Sequence, residues 1–245
     1  MGGGSPLSGD AEQQRLDGIA AWFSIGGFNT TLIRLGLRTI SPHFVPGSLL
    51  EVGCASGEMT RLLLDFDPDL SVLDGAPAYV EAARALSPRI QGEVSLIEDW
   101  SPDRGYDNII LAHVLEHVVD PVGVLRRLAT GFTERGRLFV IVPNAHSLHR
   151  LAGVQMGLIE SPTQLTDQDR SVGHRRVYTS EALAGDIRRA GLRCPASGGI
   201  FLKPLANQQI EEQWSPELVE AYYQLGLLFP DHCGELYAVC ERESS

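Results

Sequence analysis

The stretch LLEVGCASG, residues 49–57, decides how the chain folds. Its first half is a short apolar run of the kind that forms a buried strand, and a helix is predicted from Glu58 onward. Gly53 and Gly57 permit a tight turn and let a ligand approach the backbone closely. The first turn of the following helix offers free N–H groups. The stretch therefore predicts a strand, a ligand-binding loop and a helix in succession.

Dinucleotide binding is one interpretation of this loop. The pattern G-x-G-x-x-G requires glycine at positions 53, 55 and 58, but the chain has Gly53, Ala55 and Glu58. The third glycine, which lets the helix pack close to the strand, is missing, and a bound pyrophosphate would face the acidic side chain of Glu58. A nicotinamide-dependent oxidoreductase is therefore a disfavoured alternative.

Short apolar strands alternate with helices on both sides of this loop. Strands are predicted at residues 48–52, 70–74, 94–97, 107–112 and 136–142, with two late segments around 200–202 and 234–240. Helices are predicted at residues 13–23, 29–40, 58–66, 77–86, 121–130 and 180–190. This alternation predicts an α/β fold, a Rossmann-like, mostly parallel seven-stranded sheet with helices on both faces.

The chain divides into segments of different character. Residues 1–10 are rich in glycine and serine and are predicted to be a flexible tail, and residues 11–46 to be an N-terminal helical cap. Residues 47–245 are predicted to form the main domain. Within it, residues 144–179 are long, mixed and punctuated by glycine and proline, which is typical of a lid or a segment that binds the substrate.

Composition excludes several classes of protein. The chain has 245 residues, 43% of them hydrophobic and 21% charged, as in a globular protein of one or two domains. A net charge of −11 without a basic stripe argues against binding nucleic acid, and no apolar run is long enough to span a membrane. Four cysteines without a Cys-x-x-Cys pair, and no secretory signal, predict a cytoplasmic protein with free thiols.

Two motifs resemble the class I S-adenosylmethionine-dependent methyltransferases. The first motif of that family, E/D-x-G-x-G-x-G, is matched by Glu51, Gly53 and Gly57, while Ala55 replaces the middle glycine. The stretch YDNIILAHVLEHVVDP, residues 106–121, resembles the FDxVxxxxVLEHVxDP stretch of a branch that methylates small molecules. The resemblance implies S-adenosylmethionine as cofactor, with S-adenosylhomocysteine as product.

The resemblance also implies which residues bind the cofactor. Asp74, at the end of the second strand, would accept hydrogen bonds from the ribose hydroxyls. Asp99 would accept one from the adenine amino group, with Trp100 against the ring and Glu98 as a less favoured substitute for Asp99. Val114 would flank the methionine part of the cofactor. The full expected set is Glu51, Gly53, Ala55, Gly57, Asp74, Gly75, Asp99, Trp100, His113 and Val114.

Three histidines are candidates for a general base, because imidazole titrates near neutrality. We rank them His174, His146 and His117, and the resemblance implies a structural role for the last. His113 and His117 are four residues apart, but His113 is predicted at a strand end, so the two would not share a helix face. No H-E-x-x-H motif is present either, and we expect no metal site.

The predicted function is methyl transfer to a small-molecule acceptor, with O-methylation of a hydroxyl in a secondary-metabolite pathway favoured over N-methylation of an amine. A non-catalytic nucleoside-binding subunit is a second alternative from another class. We expect no nucleic-acid or membrane partner and either a monomer or a homodimer. The residues expected to contact the acceptor are Phe23, Phe28, Arg150, Met156, Tyr178 and Lys203.

Overall fold

A seven-stranded sheet forms the centre of the computed structural model, which describes residues 9–243. The strands are β1 (Leu49–Val52), β2 (Ser71–Asp74), β3 (Gln91–Val94), β4 (Tyr106–Ala112), β5 (Phe132–Pro143), β6 (Leu192–Leu202) and β7 (Cys233–Arg242). They are arranged in the order β3-β2-β1-β4-β5-β7-β6. Only β7 runs antiparallel to its neighbours within this described sheet. The structure confirms the predicted Rossmann-like, mostly parallel α/β fold.

Helices cover both faces of the sheet. They are α1 (Gly9–Ala20), α2 (Phe28–Ile40), α3 (Glu58–Leu63), α4 (Pro77–Arg84), α5 (Pro121–Thr130), α6 (Leu148–Gln155), α7 (Asp167–Ser171), α8 (Ser180–Arg189), α9 (Asn207–Gln213) and α10 (Pro216–Leu228). Side chains of α5 and α8 pack in the core on one face, and those of α2, α3, α9 and α10 on the other. Between residues 9 and 243 no helix has the length and hydropathy to cross a bilayer.

The central strands are apolar because both of their faces are covered. Every residue of β1 and β2 is buried. Leu50 and Val52 pack against one layer of helices, and Leu49 against the other. β2 lies on one side of β1 and β4 on the other. The connection from β1 to β2 and the connection from β3 to β4 therefore run in opposite directions along the sheet. In open α/β sheets ligands bind at such a point, beyond the carboxyl ends of the strands.

The prediction for the third strand was wrong by three residues. β3 is Gln91–Val94, whereas the apolar pattern predicted residues 94–97. β3 lies at the edge of the sheet and is mostly exposed, so its sequence carries no apolar run. Ile97, which suggested the strand, is buried in the turn that follows it.

The predicted tail and the predicted lid have these outcomes in the structure. The predicted tail, residues 1–10, falls largely outside the described residues, and α1 begins at Gly9. The predicted lid, residues 144–179, contains α6 and α7. Its first and last parts meet at a bridge between Asn144 and Tyr178, and the Ala145 amide donates to the Tyr178 carbonyl over 2.7 Å. We call residues 144–179 the β5–α8 segment below.

Candidate active site

The loop after β1 has a backbone that needs glycine. Gly53 has φ 79° and Gly57 has φ 87°, both in the left-handed region. A Cβ atom on Gly53 would lie 2.3 Å from Cγ2 of Val114. Ala55 adopts φ 42° without being glycine, a strained conformation of the kind that clusters at functional sites. The loop therefore needs glycine at position 53 both for its backbone angle and for its close contact with Val114.

Two acidic side chains lie beneath this loop. Glu51 is 2% exposed and its Oε2 atom has no hydrogen-bond partner among the described residues. Burial, reinforced by the nearby charge of Asp74, raises the pKa of Glu51 to about 8. Asp74 accepts a 2.8 Å hydrogen bond from the Ala76 amide and a 3.4 Å one from the Ala55 amide. Burial also raises the pKa of Asp74.

The buried Glu51 makes stability depend on pH. Its pKa in the folded chain, about 8, lies above the ordinary value of 4.5, so the folded chain binds more protons between these pH values. The free energy of unfolding should therefore fall as pH rises through this window, by about 1.4 kcal/mol per unit of pKa difference. In the variant Glu51→Gln this loss should disappear. Urea unfolding at several pH values measures this loss of stability. The exposed Glu134→Gln is the control and should behave as wild type. Parallel pH profiles for wild type and Glu51→Gln would contradict the prediction.

A cavity of about 620 Å³ opens beyond the carboxyl ends of the central strands. Most of the residues expected from the sequence to bind cofactor or acceptor line it. They are Phe23, Glu51, Gly53, Ala55, Asp74, Gly75, His113, Val114, His117, Arg150, His174 and Lys203. The remaining expected residues do not line it, namely Phe28, Gly57, Asp99, Trp100, His146, Met156 and Tyr178.

Trp100 lies in the core rather than at the cavity. It is 2% exposed, its ring packs near Tyr106, and its Nε1 donates to Glu93 over 3.2 Å. This corrects the expectation that the indole lies against an adenine ring. Asp99 is exposed to solvent, and its neighbour Glu98 lines the cavity instead.

Three residues expected to contact the acceptor lie elsewhere, as does one candidate base. Phe28 packs against Phe201, with ring centroids 5.3 Å apart. Met156 is 71% exposed on the surface. The Tyr178 hydroxyl donates to the buried Asp186 over 2.9 Å, so it stabilises α8. His146 does not line the cavity, which leaves His174 and His117 of the three ranked histidines.

His174 is held by a carboxylate that the sequence analysis missed. Its Nδ1 atom lies 3.2 Å from Oδ1 of Asp169, and its backbone amide donates to the Asp169 carbonyl. Arg150 lies 3.2 Å from the other oxygen of that carboxylate, and Thr166 donates to it as well. Burial alone would raise the pKa of Asp169, but the hydrogen bonds from His174 and Thr166 hold it well below its usual value.

This arrangement fixes the proton on His174. An ionised carboxylate only accepts hydrogen bonds, so Nδ1 carries the proton and Nε2 has the free lone pair. Nε2 lies 4.0 Å from Oε1 of Glu116. The ring of His117 meets that of His174 edge-on at 4.7 Å. The imidazole is therefore oriented as a proton acceptor, with a carboxylate near enough to stabilise the cation that forms.

Two arginines hold the loop that carries His174 against the turn at residues 114–118, which we call the VLEHV turn. Arg175 donates from Nε to the His117 carbonyl over 2.7 Å, and from its backbone amide to Glu116. Arg176 donates to the carbonyls of Leu115 and Val118. Backbone carbonyls of the turn thus position His174, whatever occupies the cavity.

His113 lies between two carboxylates. Its Nε2 is 3.2 Å from Oε1 of Glu235, and its Nδ1 is 3.6 Å from Oε1 of Glu116. Enclosure by the cavity walls alone would lower the pKa of His113, but the two carboxylates raise it to about 10. Burial has the opposite result at His117, whose pKa it lowers to about 4. His113 is therefore a cation at physiological pH, and His117 is neutral.

One group of side chains could hold a metal ion. Glu116, His117 and His174 each present a ligand atom, and these atoms lie within 4.8 Å of one another. Both carboxylate oxygens of Glu116 are buried without a hydrogen-bond partner among residues 9–243. The sequence analysis considered the histidine pair 113 and 117, and missed this set because His174 comes from a distant loop.

Comparison with known proteins decides what the cavity belongs to. A family model described as "Methyltransferase domain" matches residues 27–196, more than half of the chain. The chain belongs to this methyltransferase family. It is a methyltransferase, as the two sequence motifs implied. The oxidoreductase and the non-catalytic subunit are thereby set aside.

Curated relatives of this methyltransferase act on small molecules by name. The "Ubiquinone biosynthesis O-methyltransferase" of Xanthomonas oryzae pv. oryzae is 24% identical over 219 residues, covering 83% of this chain and 90% of the relative. The "Trans-aconitate 2-methyltransferase" of Methylobacterium radiotolerans is 34% identical over 114 residues, covering 45% of this chain and 44% of the relative. Methylation of a small molecule is the activity these names share.

Solved structures share the fold of this methyltransferase. The "DhpI-SAM-HEP complex" has a TM-score of 0.64 at 16% identity and covers 97% of this chain and 100% of that one. The N-methyltransferase NodS from Bradyrhizobium japonicum, in complex with S-adenosylhomocysteine, has a TM-score of 0.58 at 17% identity, covering 95% and 98%.

The residues at the carboxyl edge of the sheet fit S-adenosylmethionine. Gly53 and Val114 both line the cavity, and glycine at position 53 lets the backbone approach within contact distance of the valine. Glu51 has an unpartnered buried oxygen beside that loop, and the Asp74 carboxylate lines the cavity. A nucleoside with an amino-acid tail needs such a close backbone approach and hydroxyl-accepting carboxylates.

Proposed function

We propose that this methyltransferase O-methylates a hydroxyl group of a small molecule in a biosynthetic pathway. The observation that carries the proposal is the Asp169–His174 pair at the cavity wall, with 3.2 Å between Oδ1 and Nδ1. A hydroxyl must lose its proton when it attacks a methyl group, whereas a neutral amine or a carboxylate needs no base to begin. The relatives named for O-methylation in ubiquinone biosynthesis support the same chemistry.

In this mechanism His174 takes the hydroxyl proton at Nε2. Asp169 keeps the ring oriented through Nδ1 and stabilises the imidazolium, and Glu116 adds a second negative charge 4.0 Å from Nε2. S-adenosylmethionine, when bound, supplies an electrophilic methyl group. The chain contributes alignment and the exclusion of water, which can lower a barrier by about 7–11 kcal/mol.

Cofactor binding is assigned to the edge formed by β1, β2 and β4. Gly53 and Ala55 would approach the cofactor with their backbone, Asp74 would accept from the ribose, and Val114 would contact the methionine part. Glu98 is the acidic residue that lines the cavity near the expected adenine position, so it replaces Asp99 in the proposal. Gly57 supports the loop as the left-handed residue that precedes α3.

N-methylation is the second candidate function. Glu116 has two buried oxygens without partners among the described residues, and an ammonium group could donate to them. The fold neighbour NodS is an N-methyltransferase by its title. The oriented base favours the hydroxyl, because an amine acceptor gains less from it.

Methyl-labelled S-adenosylmethionine and a protein-free extract of the source organism test the proposal. We expect one labelled product that survives mild alkali and does not bind a cation exchanger, as a methyl ether would. Release of the label by alkali would indicate a carboxyl ester, and retention on the cation exchanger would indicate a methylated amine. Either result would contradict the hydroxyl acceptor. Extract without the protein is the control.

A further inference from the structure

Lys203 is the only lysine in the chain, and it lines the active-site cavity. It follows directly after β6, and its carbonyl accepts a 3.1 Å hydrogen bond from the His149 amide. Its stem packs over Gly234 of β7, where a Cβ atom would lie 3.1 Å from both Cβ and Cδ of the lysine. Any larger residue at position 234 would compress this stem, so the two strands hold the lysine against the cavity.

The ammonium group has no counter-ion in contact. No carboxylate oxygen of the described chain lies within 4.0 Å of Nζ, and Nζ makes no hydrogen bond there. Burial lowers the pKa of Lys203 to about 8. The carboxylate that acts on it most, Glu235, is 3.2 Å from His113, and the neighbouring cation Arg150 is paired with Asp169. Glu235 and Arg150 each have a partner that lies closer to them than Lys203 does.

His149 supplies a second unpaired polar group at the same wall. Its ring lines the cavity, and its Nδ1 is buried without a partner among the residues that the structure describes. Burial, together with the charges of Lys203 and Arg150, lowers the pKa of His149 to about 3. The imidazole is thus neutral and can donate one hydrogen bond. Lys203 and His149 thus offer one cationic and one neutral donor at the same cavity, which suits an oxyanion.

We propose that Lys203 and His149 bind an acidic group of the methyl acceptor, a carboxylate or a phosphate. This rests on the proposed function, since it describes the same acceptor. Arg150 follows His149 in the chain and is bonded to Asp169, which orients His174. The acid-binding wall therefore adjoins the base. The acceptor is a hydroxy acid, with its hydroxyl at His174 and its acidic group at Lys203.

The carboxylates of the cavity do not oppose this placement. Glu116 and Glu235 lie on either side of His113, whose raised pKa of about 10 makes it a cation. Asp169 is paired with Arg150. Each of these three carboxylates therefore has a cation nearer to it than Lys203.

Separation of the extract by charge tests this inference. Before reaction with methyl-labelled S-adenosylmethionine, the extract is divided into compounds that an anion exchanger retains and compounds that it does not. We expect wild type to label a compound in the retained fraction. At low acceptor concentration Lys203→Met should label it about ten- to a hundredfold more slowly, the effect of losing a hydrogen bond to a charged group. Lys203→Arg, which keeps the charge, should recover most of the rate.

Two controls separate binding from folding. Arg188→Met removes an exposed charge outside the cavity and should label at the wild-type rate. Lys203→Met should keep the wild-type unfolding temperature and affinity for S-adenosylhomocysteine, with the loss in KM rather than kcat. Phosphatase treatment of the retained fraction abolishes labelling if the acidic group is a phosphate and leaves it if it is a carboxylate.

The outcomes distinguish the two proposals. Label only from the unretained fraction, or equal rates for wild type and Lys203→Met, overturns the acid-binding wall and leaves O-methylation standing. No label from either fraction, in a protein that binds S-adenosylhomocysteine, overturns the proposed function and this inference with it.

Discussion

Replacing His174 by glutamine should lower kcat by about 10²–10⁴-fold, the usual contribution of a positioned general base. Glutamine keeps a polar side chain of similar length but cannot take up a proton. The affinity for S-adenosylhomocysteine should stay near that of wild type, since His174 lies with Asp169 and Glu116 at the acceptor end. A loss in kcat without a loss in binding indicates an interaction made only in the transition state. Turnover of the acceptor isolated from extract measures it.

The hydrogen bond that orients His174 gives a second test. Asp169→Asn should also lower kcat. The asparagine amide can donate to Nδ1 as well as accept from it, so it does not keep the proton of His174 on Nδ1. The exposed His232→Gln is the matched control and should behave as wild type. Full activity in His174→Gln would exclude His174 as the base and transfer the role to His117.

Replacing Gly53 by valine should abolish measurable cofactor binding. A Cβ atom there lies 2.3 Å from Cγ2 of Val114, and the backbone has φ 79°. A β-branched residue in this region costs about 1–3 kcal/mol, against a typical stability of 5–15 kcal/mol. The variant should therefore still fold, with a lower unfolding temperature. Calorimetry with S-adenosylhomocysteine measures the loss of binding, and circular dichroism checks the fold.

A double variant separates packing from binding. In Gly53→Ala with Val114→Ala, the new methyl group no longer meets the valine, so the double variant should unfold at a higher temperature than Gly53→Val although the strain at φ 79° remains. Cofactor affinity should stay well below that of Val114→Ala alone, because the methyl group still occupies the edge of the cavity. If the double variant binds as tightly as Val114→Ala, Gly53 serves only to pack against Val114.

The sequence predicted the positions of the expected cofactor residues on β1 and β2 better than the positions of the expected acceptor residues. Glu51, Gly53 and Asp74 lie within or directly after strands, so their places follow from the order of strands and the direction in which they run. Trp100 also follows a strand and an acidic residue, but its large apolar ring packs in the core on one face of the sheet rather than at the cavity. Sequence spacing carries no information on that choice.

The part of the cavity around His174 depends on contacts between distant parts of the chain. Asp169 orients His174 from a helix of five residues, α7, which has no apolar face to predict it. One signal was available: Thr166 and Asp169 have the spacing of a capping box, which marks the start of a helix. Nothing in the sequence indicates that Arg150 meets this acid or that Arg175 holds the VLEHV turn. These pairings exist only once the sheet has brought the loops together.

The bridge between Asn144 and Tyr178 gives the β5–α8 segment a property of its own. Because the chain leaves the sheet and returns to it at one point, changes of length between these two residues do not alter the spacing of the strands. Closing a longer loop between fixed ends costs only about 0.6 kcal/mol for each doubling of its length. The fold should therefore tolerate insertions in this segment, as long as Arg175 and Arg176 keep their hydrogen bonds to the carbonyls of residues 115–118.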